Sequence, residues 1–288
     1  MRTLITVVVV GVGSLVGCGP GARDNGDDGS GGAVVDAPPC TAQLEVCDDG
    51  VDNDCDDRPD CADPDCSGVG ACPVCGAVQV PMSTPLALPD GISSGTACST
   101  DAQCTGAGTP NCVSKECHAS YTSTLDFIGF GQGQKLDDPT KLLSVCVKAE
   151  HSWLRDLQVE LINPDGAVFI LRKWIDRTTI DEVYLGHAND SDAANNPVAG
   201  DGYEYCWTPS ATLDMYTAPR ESWNGHDVLP SGNYLSSAPW AALAGSPLNG
   251  MWTMRVTDLW GIDNGFMFEW KIAFDPSLVS DCSGPIIQ

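Results

Sequence analysis

The chain has 288 residues, with 39 acidic side chains against 14 basic ones and a net charge of −25. That field repels phosphate backbones and anionic lipid headgroups, so nucleic acid and acidic membrane surfaces are excluded as partners. Over half of the excess is local: 14 acids stand against Arg58 alone between Asp24 and Asp65, which favours cations or basic partners.

Met1-Arg2 opens a short positive segment, and Leu4 to Val16 is apolar. The run is too short to span a bilayer and reads as a signal peptide, residues 1–18. Leu15-Val16-Gly17-Cys18 resembles a bacterial lipobox. The resemblance implies that Cys18 is lipidated and becomes the N-terminus, tethering an exported chain to the membrane; the alternative is an ordinary secretory signal with a coincidental Cys. Gly19 rather than Asp, by the same analogy, directs the anchor to the outer membrane or surface of a Gram-negative cell. Residues 19–39 are Gly, Asp, Ser and Pro with almost nothing to bury, a flexible acidic linker.

Residues 40–76 form an Asp/Cys-rich module. Cys40 to Cys66 holds ten acids, a density that is repulsive unless a cation or water absorbs the charge. Asp48, Asp52, Asp54, Asp56, Asp60, Asp63 and Asp65 are the candidate ligands, and Ca²⁺ is the cation that takes six to eight such oxygens. Asp52, Asp54 and Asp56 have the 1-3-5 spacing of an EF-hand, but Asp57 replaces its Gly and no Glu stands at position 12. The run Glu45-Val-Cys-Asp-Asp-Gly-Val-Asp-Asn-Asp-Cys-Asp56 instead resembles metal-binding repeats of bacterial surface proteins and thrombospondin type 3 repeats. The alternative is a solvated acidic loop stapled by disulfides. Cys72-Pro-Val-Cys75 has zinc-knuckle or redox spacing, yet no second such pair follows, so disulfides are expected there too. Residues 77–97 read as a Pro-rich connector. Cys98, Cys104, Cys112 and Cys117 frame a module over 98–120, too small to bury a core and expected to rely on two crosslinks.

There are 15 cysteines. Setting Cys18 aside leaves an even number, which suits seven disulfides in an oxidising compartment. The expected pairing is Cys146 with Cys206, with Cys282 reaching back to the cysteine-rich part.

All eight Trp lie beyond residue 150. Leu157, Val159 and Leu161 alternate with Gln158 and Glu160, the period of a strand with one buried face. Asn163-Pro-Asp-Gly166 is a turn and Val168 to Leu171 a returning strand. Trp252 to Asp258, a turn through Asp263-Asn264-Gly265, and Phe266 to Phe274 read as a second hairpin. Phe266, Phe268, Trp270, Ile272 and Phe274 fall on one face of it. No window carries a sustained 3.6-residue period, so the expectation is an all-β, jelly-roll-like sandwich over 121–276, preceded by small disulfide-rich modules with little regular structure and followed by a tail, 277–288.

His151, Arg155-Asp-Leu157, Leu161-Ile-Asn-Pro-Asp-Gly166, Leu248-Asn-Gly-Met-Trp252, Val256-Thr-Asp258, Asp263-Asn-Gly-Phe266 and Trp270 occur in the order of the P (Homo B) domain, the β-sandwich that follows the catalytic domain in proprotein convertases. Gly202-Tyr-Glu-Tyr-Cys-Trp207 and Gly232-Asn-Tyr234 resemble its bacterial form. The resemblance covers roughly residues 122–275 and implies a recognition or accessory head, with a protein, a glycan or a peptidase as partner. It also implies that Asp156 and Asp258 are structurally central, either as Ca²⁺ ligands or as hydrogen-bonded anchors, and gives His151 a packing role. Gly91-Ile-Ser-Ser-Gly95 carries the letters of Gly-x-Ser-x-Gly but sits at the Pro-rich connector rather than between a strand and a helix; there is no His-Glu-x-x-His or Walker loop, and 120 cysteine-rich residues cannot supply a subtilisin-like domain. A non-enzymatic role is therefore expected, with an accessory or remnant of an extracellular protease system as the alternative.

Overall fold

The computed structural model describes residues 43–67, 69, 70, 72, 77–92, 94–106, 108–175, 182–189 and 197–279, residues 77–83 by their backbone alone. Among them the regular structure is all strand and single 3-10 turns. In chain order the strands are β1 (Ala77–Ala87), β2 (Asn111–Val113), β3 (Glu116–His118), β4 (Tyr121–Phe127), β5 (Lys135–Leu136), β6 (Leu142–His151), β7 (Leu157–Ile162) and β8 (Val168–Arg172). They continue as β9 (Val183–Leu185), β10 (Tyr203–Trp207), β11 (Glu221–Trp223), β12 (His226–Leu229), β13 (Gly232–Tyr234), β14 (Ser246–Pro247), β15 (Gly250–Asp258) and β16 (Gly265–Phe274).

Two sheets face each other. One runs β4-β15-β7-β8; the other runs β1-β16-β6-β9-β12-β11, with β10 and β13 branching from β6. The inward residues of both form one apolar cluster: Leu125 and Phe127 of β4, Val159 and Leu161 of β7, and Trp252 and Met254 of β15 pack with Val145 and Val147 of β6, Trp207 of β10 and Trp270 and Ile272 of β16. Each such side chain contributes about 1.5–3 kcal/mol when taken out of water. The two central indoles stay satisfied: Trp252 Nε1 donates to Leu248 O at 3.1 Å and Trp270 Nε1 to Ser123 Oγ at 2.9 Å. Cys146 and Cys206, directly opposed on β6 and β10, are disulfide-bonded.

The Asn163–Gly166 turn closes the β7–β8 hairpin, with Ile162 opposite Val168 and Gly166 at φ +80°. The second expected hairpin does not form. β15 pairs with β4 and β7, whereas β16 pairs with β1 and β6. The segment from Leu259 to Asn264 is a corner that carries the chain from one sheet to the other. Asn264 is buried rather than at a hairpin tip, with its backbone O accepting from Ser152 N at 3.2 Å. A bulge at Phe268 also shifts the alternation in β16. Met267, Trp270, Ile272 and Phe274 point into the core, while Phe268 is half-buried against Gly202.

The stretch that reads as a Pro-rich connector is an edge strand. β1 pairs antiparallel with β16, with a register shift between Pro81 and Leu86. Proline is tolerated at such an edge because no further strand needs its missing N–H.

Gln158 and Glu160, the polar half of the β7 alternation, are buried too, at 3% and 4% exposure. What covers them is the small module ahead of β4. It is a β2–β3 hairpin held by Cys98–Cys112 and Cys104–Cys117. Ser114 Oγ donates to Gln158 Oε1 at 3.0 Å. Arg255 reaches between sheet and module, its Nε donating to Glu160 Oε2 at 2.6 Å and its Nη1 to Asp101 Oδ2 at 3.0 Å.

Candidate metal centre

The described residues between 43 and 72 have almost no apolar interior and are shaped by covalent links and carboxylates. Cys47–Cys66 and Cys61–Cys72 are disulfides, and Cys55 is disulfide-bonded as well. Asp52 folds the chain around itself: its Oδ1 accepts from Cys55 N at 2.7 Å and Asp56 N at 3.2 Å, and its Oδ2 from Asp57 N at 2.9 Å. Glu45 ties the loop's ends together, with Oε2 accepting from Asn53 N and Oε1 from Asp60 N, both at 2.8 Å. Cys55, Asp57 and Asp60 have positive φ. These short polar turns leave acidic oxygens gathered on the inside of the coil.

Two sets of three carboxylates converge, each set with one oxygen per residue within 4.8 Å: Glu45, Asp54 and Asp63, and Asp52, Asp54 and Asp56. Asp54 is common to both. Asp63 is 1% exposed; its Oδ1 accepts from Asp65 N, but its Oδ2 is buried with no hydrogen-bond partner. Desolvation pushes the Asp63 carboxyl above the usual range, and the charges of Asp56, Asp65 and Glu45 add to it. Asp54 is raised for the same reasons, desolvation first and then Asp56, Asp63 and Glu45. A buried carboxylate oxygen without a donor, beside two more acids, is what a cation relieves. The donors are oxygens alone, since all the described cysteines of the loop are in disulfides, and oxygen-only donors suit a hard ion.

Of the expected ligands, the structure brings together Asp52, Asp54, Asp56 and Asp63. Asp60 instead accepts from Gly50 N at 3.0 Å, and Asp48 and Asp65 are exposed. Glu45 joins the set without having been expected; its place at the head of the Glu-x-Cys-Asp pattern was the available signal. Cys18 and Cys282 lie outside the described residues.

Asp156 and Asp258 belong to a separate polar cluster where β6, β7, β15 and β16 meet. His151 Nδ1 accepts from Trp153 N at 2.9 Å, which leaves Nε2 to carry the ring proton 3.5 Å from Asp258 Oδ2. Both partners are buried. Asp258 Oδ1 accepts from Trp260 N at 2.9 Å, and Leu259 N donates to Asp156 O at 2.9 Å. Burial pushes Asp156 up to about 7, helped by the Asp258 and Asp263 charges and opposed by His151 and Arg172. Burial would lower His151, but the hydrogen bond and charge of Asp258 outweigh it and raise its pKa. Nδ1 is taken by Trp153 N, and Nε2 faces Asp258. The cluster anchors the corner at Leu259–Asn264.

No protein-family model and no curated protein matches the chain. Two solved structures align with it, the serine protease of Aeromonas sobria alone and the same protease in complex with its chaperone. Each is 14% identical with a TM-score of 0.27. The alignments cover 72% and 70% of this chain but 28% and 27% of the proteases, so the chain spans little more than a quarter of their length.

Proposed function

We propose that the chain is a non-enzymatic cell-surface lipoprotein, anchored through Cys18, in which a Ca²⁺-stabilised acidic module forms a stalk below a P-domain-like recognition head. The observation that carries the stalk is the buried Asp63 Oδ2, with no donor of its own, beside Glu45 and Asp54. Those three residues would hold the ion, with Asp52 and Asp56 completing its acidic surround. An ion that binds the folded module and not the unfolded chain stabilises it by about 2.7 kcal/mol at a hundred times its Kd. The lipobox-like start supports the anchor, and the ordered P-domain motifs support the head.

Thermal unfolding with millimolar Ca²⁺ and with chelator tests the stalk. The expected result is a higher Tm with Ca²⁺, a smaller effect of Mg²⁺, and loss of the difference in Asp63→Asn. Identical melting with and without Ca²⁺ overturns it. A second reading, an accessory subunit of an extracellular peptidase, draws on the same P-domain pattern; it predicts that adding the chain raises the activity or lifetime of a peptidase from the same cell.

A further inference from the structure

The outer end of the larger sheet carries a cleft that neither the acidic module nor the His151 cluster touches. It encloses about 500 Å³ and is walled by Tyr184, His187, Asp201, Trp223, Asn224 and His226. Two ring pairs stand in its walls. His187 stacks on Trp223 with centroids 4.5 Å apart and 10° between planes, and Tyr184 stacks on His226 at 4.3 Å and 20°. The strands hold these pairs in place: Trp223 of β11 is directly opposite His226 of β12, and Tyr184 of β9 lies beside Val228 of β12.

Among the described residues, the charged groups around the rings are acids. Asp201 Oδ2 lies 3.8 Å from His187 Nδ1, and its side chain is 86% exposed. Glu182 Oε1 lies 2.5 Å from His226 Nδ1. Behind the Gly200 wall sits Glu150, fully buried, with Oε1 accepting from Gly200 N at 3.4 Å and Oε2 without a hydrogen-bond partner. Among the described residues no Lys or Arg lines the cleft. Phosphates and carboxylates are therefore repelled, and a cation is attracted both by the carboxylates and by the ring faces.

We propose that this cleft binds an exposed arginine side chain of a partner protein, its guanidinium lying against the Trp223 and His226 rings and pairing with Asp201. The inference rests on reading the sandwich as a recognition head and names what the head recognises. Arginine fits better than lysine because a flat guanidinium both stacks on rings and forks onto a carboxylate, whereas an ammonium does neither. It fits better than a neutral sugar because stacking already covers one face of each ring. What remains is ring edge and outer face between acids, rather than the broad open platform a pyranose needs.

The test titrates the full chain with three otherwise identical blocked pentapeptides, Gly-Gly-X-Gly-Gly with X as Arg, Lys or citrulline, followed by tryptophan fluorescence and NMR. The arginine peptide is expected to bind about 3-fold or more tighter than either of the others. Asp201→Asn, at an exposed position that leaves folding intact, is expected to weaken it about 3-fold, and Trp223→Leu to weaken it further. Equal affinity for the three peptides, or no effect of Asp201→Asn, overturns the inference. So does saturable binding of chitotriose in the cleft with no response to arginine, although the recognition head would then stand with a different ligand. Silence toward every probe overturns the cleft assignment alone, because the head is tested separately by its effect on a peptidase and the stalk by calcium melting.

Discussion

Arg255→Met removes a buried cation that pairs with Glu160 inside the sandwich and reaches Asp101 of the small disulfide module. In the native chain Arg255 is 3% exposed and Glu160 is 4% exposed. Glu160 spends Oε2 on Arg255 Nε at 2.6 Å and Oε1 on Gln158 Nε2 at 2.6 Å. Methionine keeps much of the apolar stem but leaves Glu160 buried with only a neutral amide. Removing one partner of such a pair costs about 3–5 kcal/mol, most of it the stranded charge. The second arm, to Asp101, ends on a carboxylate that is 53% exposed and adds at most about 1 kcal/mol. Urea unfolding followed by tryptophan fluorescence, with disulfides intact, should therefore show a loss of about 4 kcal/mol at unchanged slope. The double variant Glu160→Leu, Arg255→Met removes both charges and should lose about 1 kcal/mol, about 3 kcal/mol less than Arg255→Met alone. An Arg255→Met loss below about 1 kcal/mol, or a double variant no more stable than Arg255→Met alone, refutes the account.

Glu150 gives a pH signature. Burial pushes its carboxyl from 4.5 up to about 7, against the opposing Gly200 N–H and His151. The folded state thus holds a proton that the unfolded chain releases, so stability falls as pH rises from about 4.5 to 7 and stays lowered above that. Glu150→Gln should remove this group's share of the slope, while Asp156, also raised to about 7, keeps its own, and be more stable than the native chain at pH 8, by an order of 3 kcal/mol at 1.36 kcal/mol per pH unit; parallel stability curves for the two proteins would contradict it. Replacing Cys146 and Cys206 together by Ala frees a link across 60 residues and should cost about 4 kcal/mol from loop closure. A melting temperature within a degree or two of the native one would show that the β6–β10 ladder holds without it.

The fold class was legible because apolar alternation and turn chemistry are local. Leu157 to Leu171 announces its own hairpin, since both strands and the turn lie within a few residues. The β15–β16 segment carries equally strong hairpin letters, Asn264-Gly265 between two alternating runs, yet its strands part into opposite sheets. What decides this is the pairing of β15 with β4 and of β16 with β6, partners more than a hundred residues away that leave no local trace. Gln158 and Glu160 misled for a related reason: polarity at alternate positions marks a face away from the main core, and here a second module covers that face with its own polar groups. In the acidic loop, spacing picked out Asp52, Asp54 and Asp56. Glu45 entered only because the coil brings its carboxylate back against Asn53 and Asp60, a closure that disulfides enforce and sequence distance hides.

The last two strands occupy the inside of both layers, β15 between β4 and β7 and β16 between β1 and β6. A chain that emerges N-terminus first, from a ribosome or through a membrane pore, thus holds two incomplete half-sheets until residues 250–274 arrive. Neither half can lock before then, so closure is a late and long-range event rather than a progressive one. Deletions within residues 250–274 would abolish the whole sandwich instead of trimming its edge, and any crosslink formed early must be one, such as those within residues 43–118, whose partners are already neighbours.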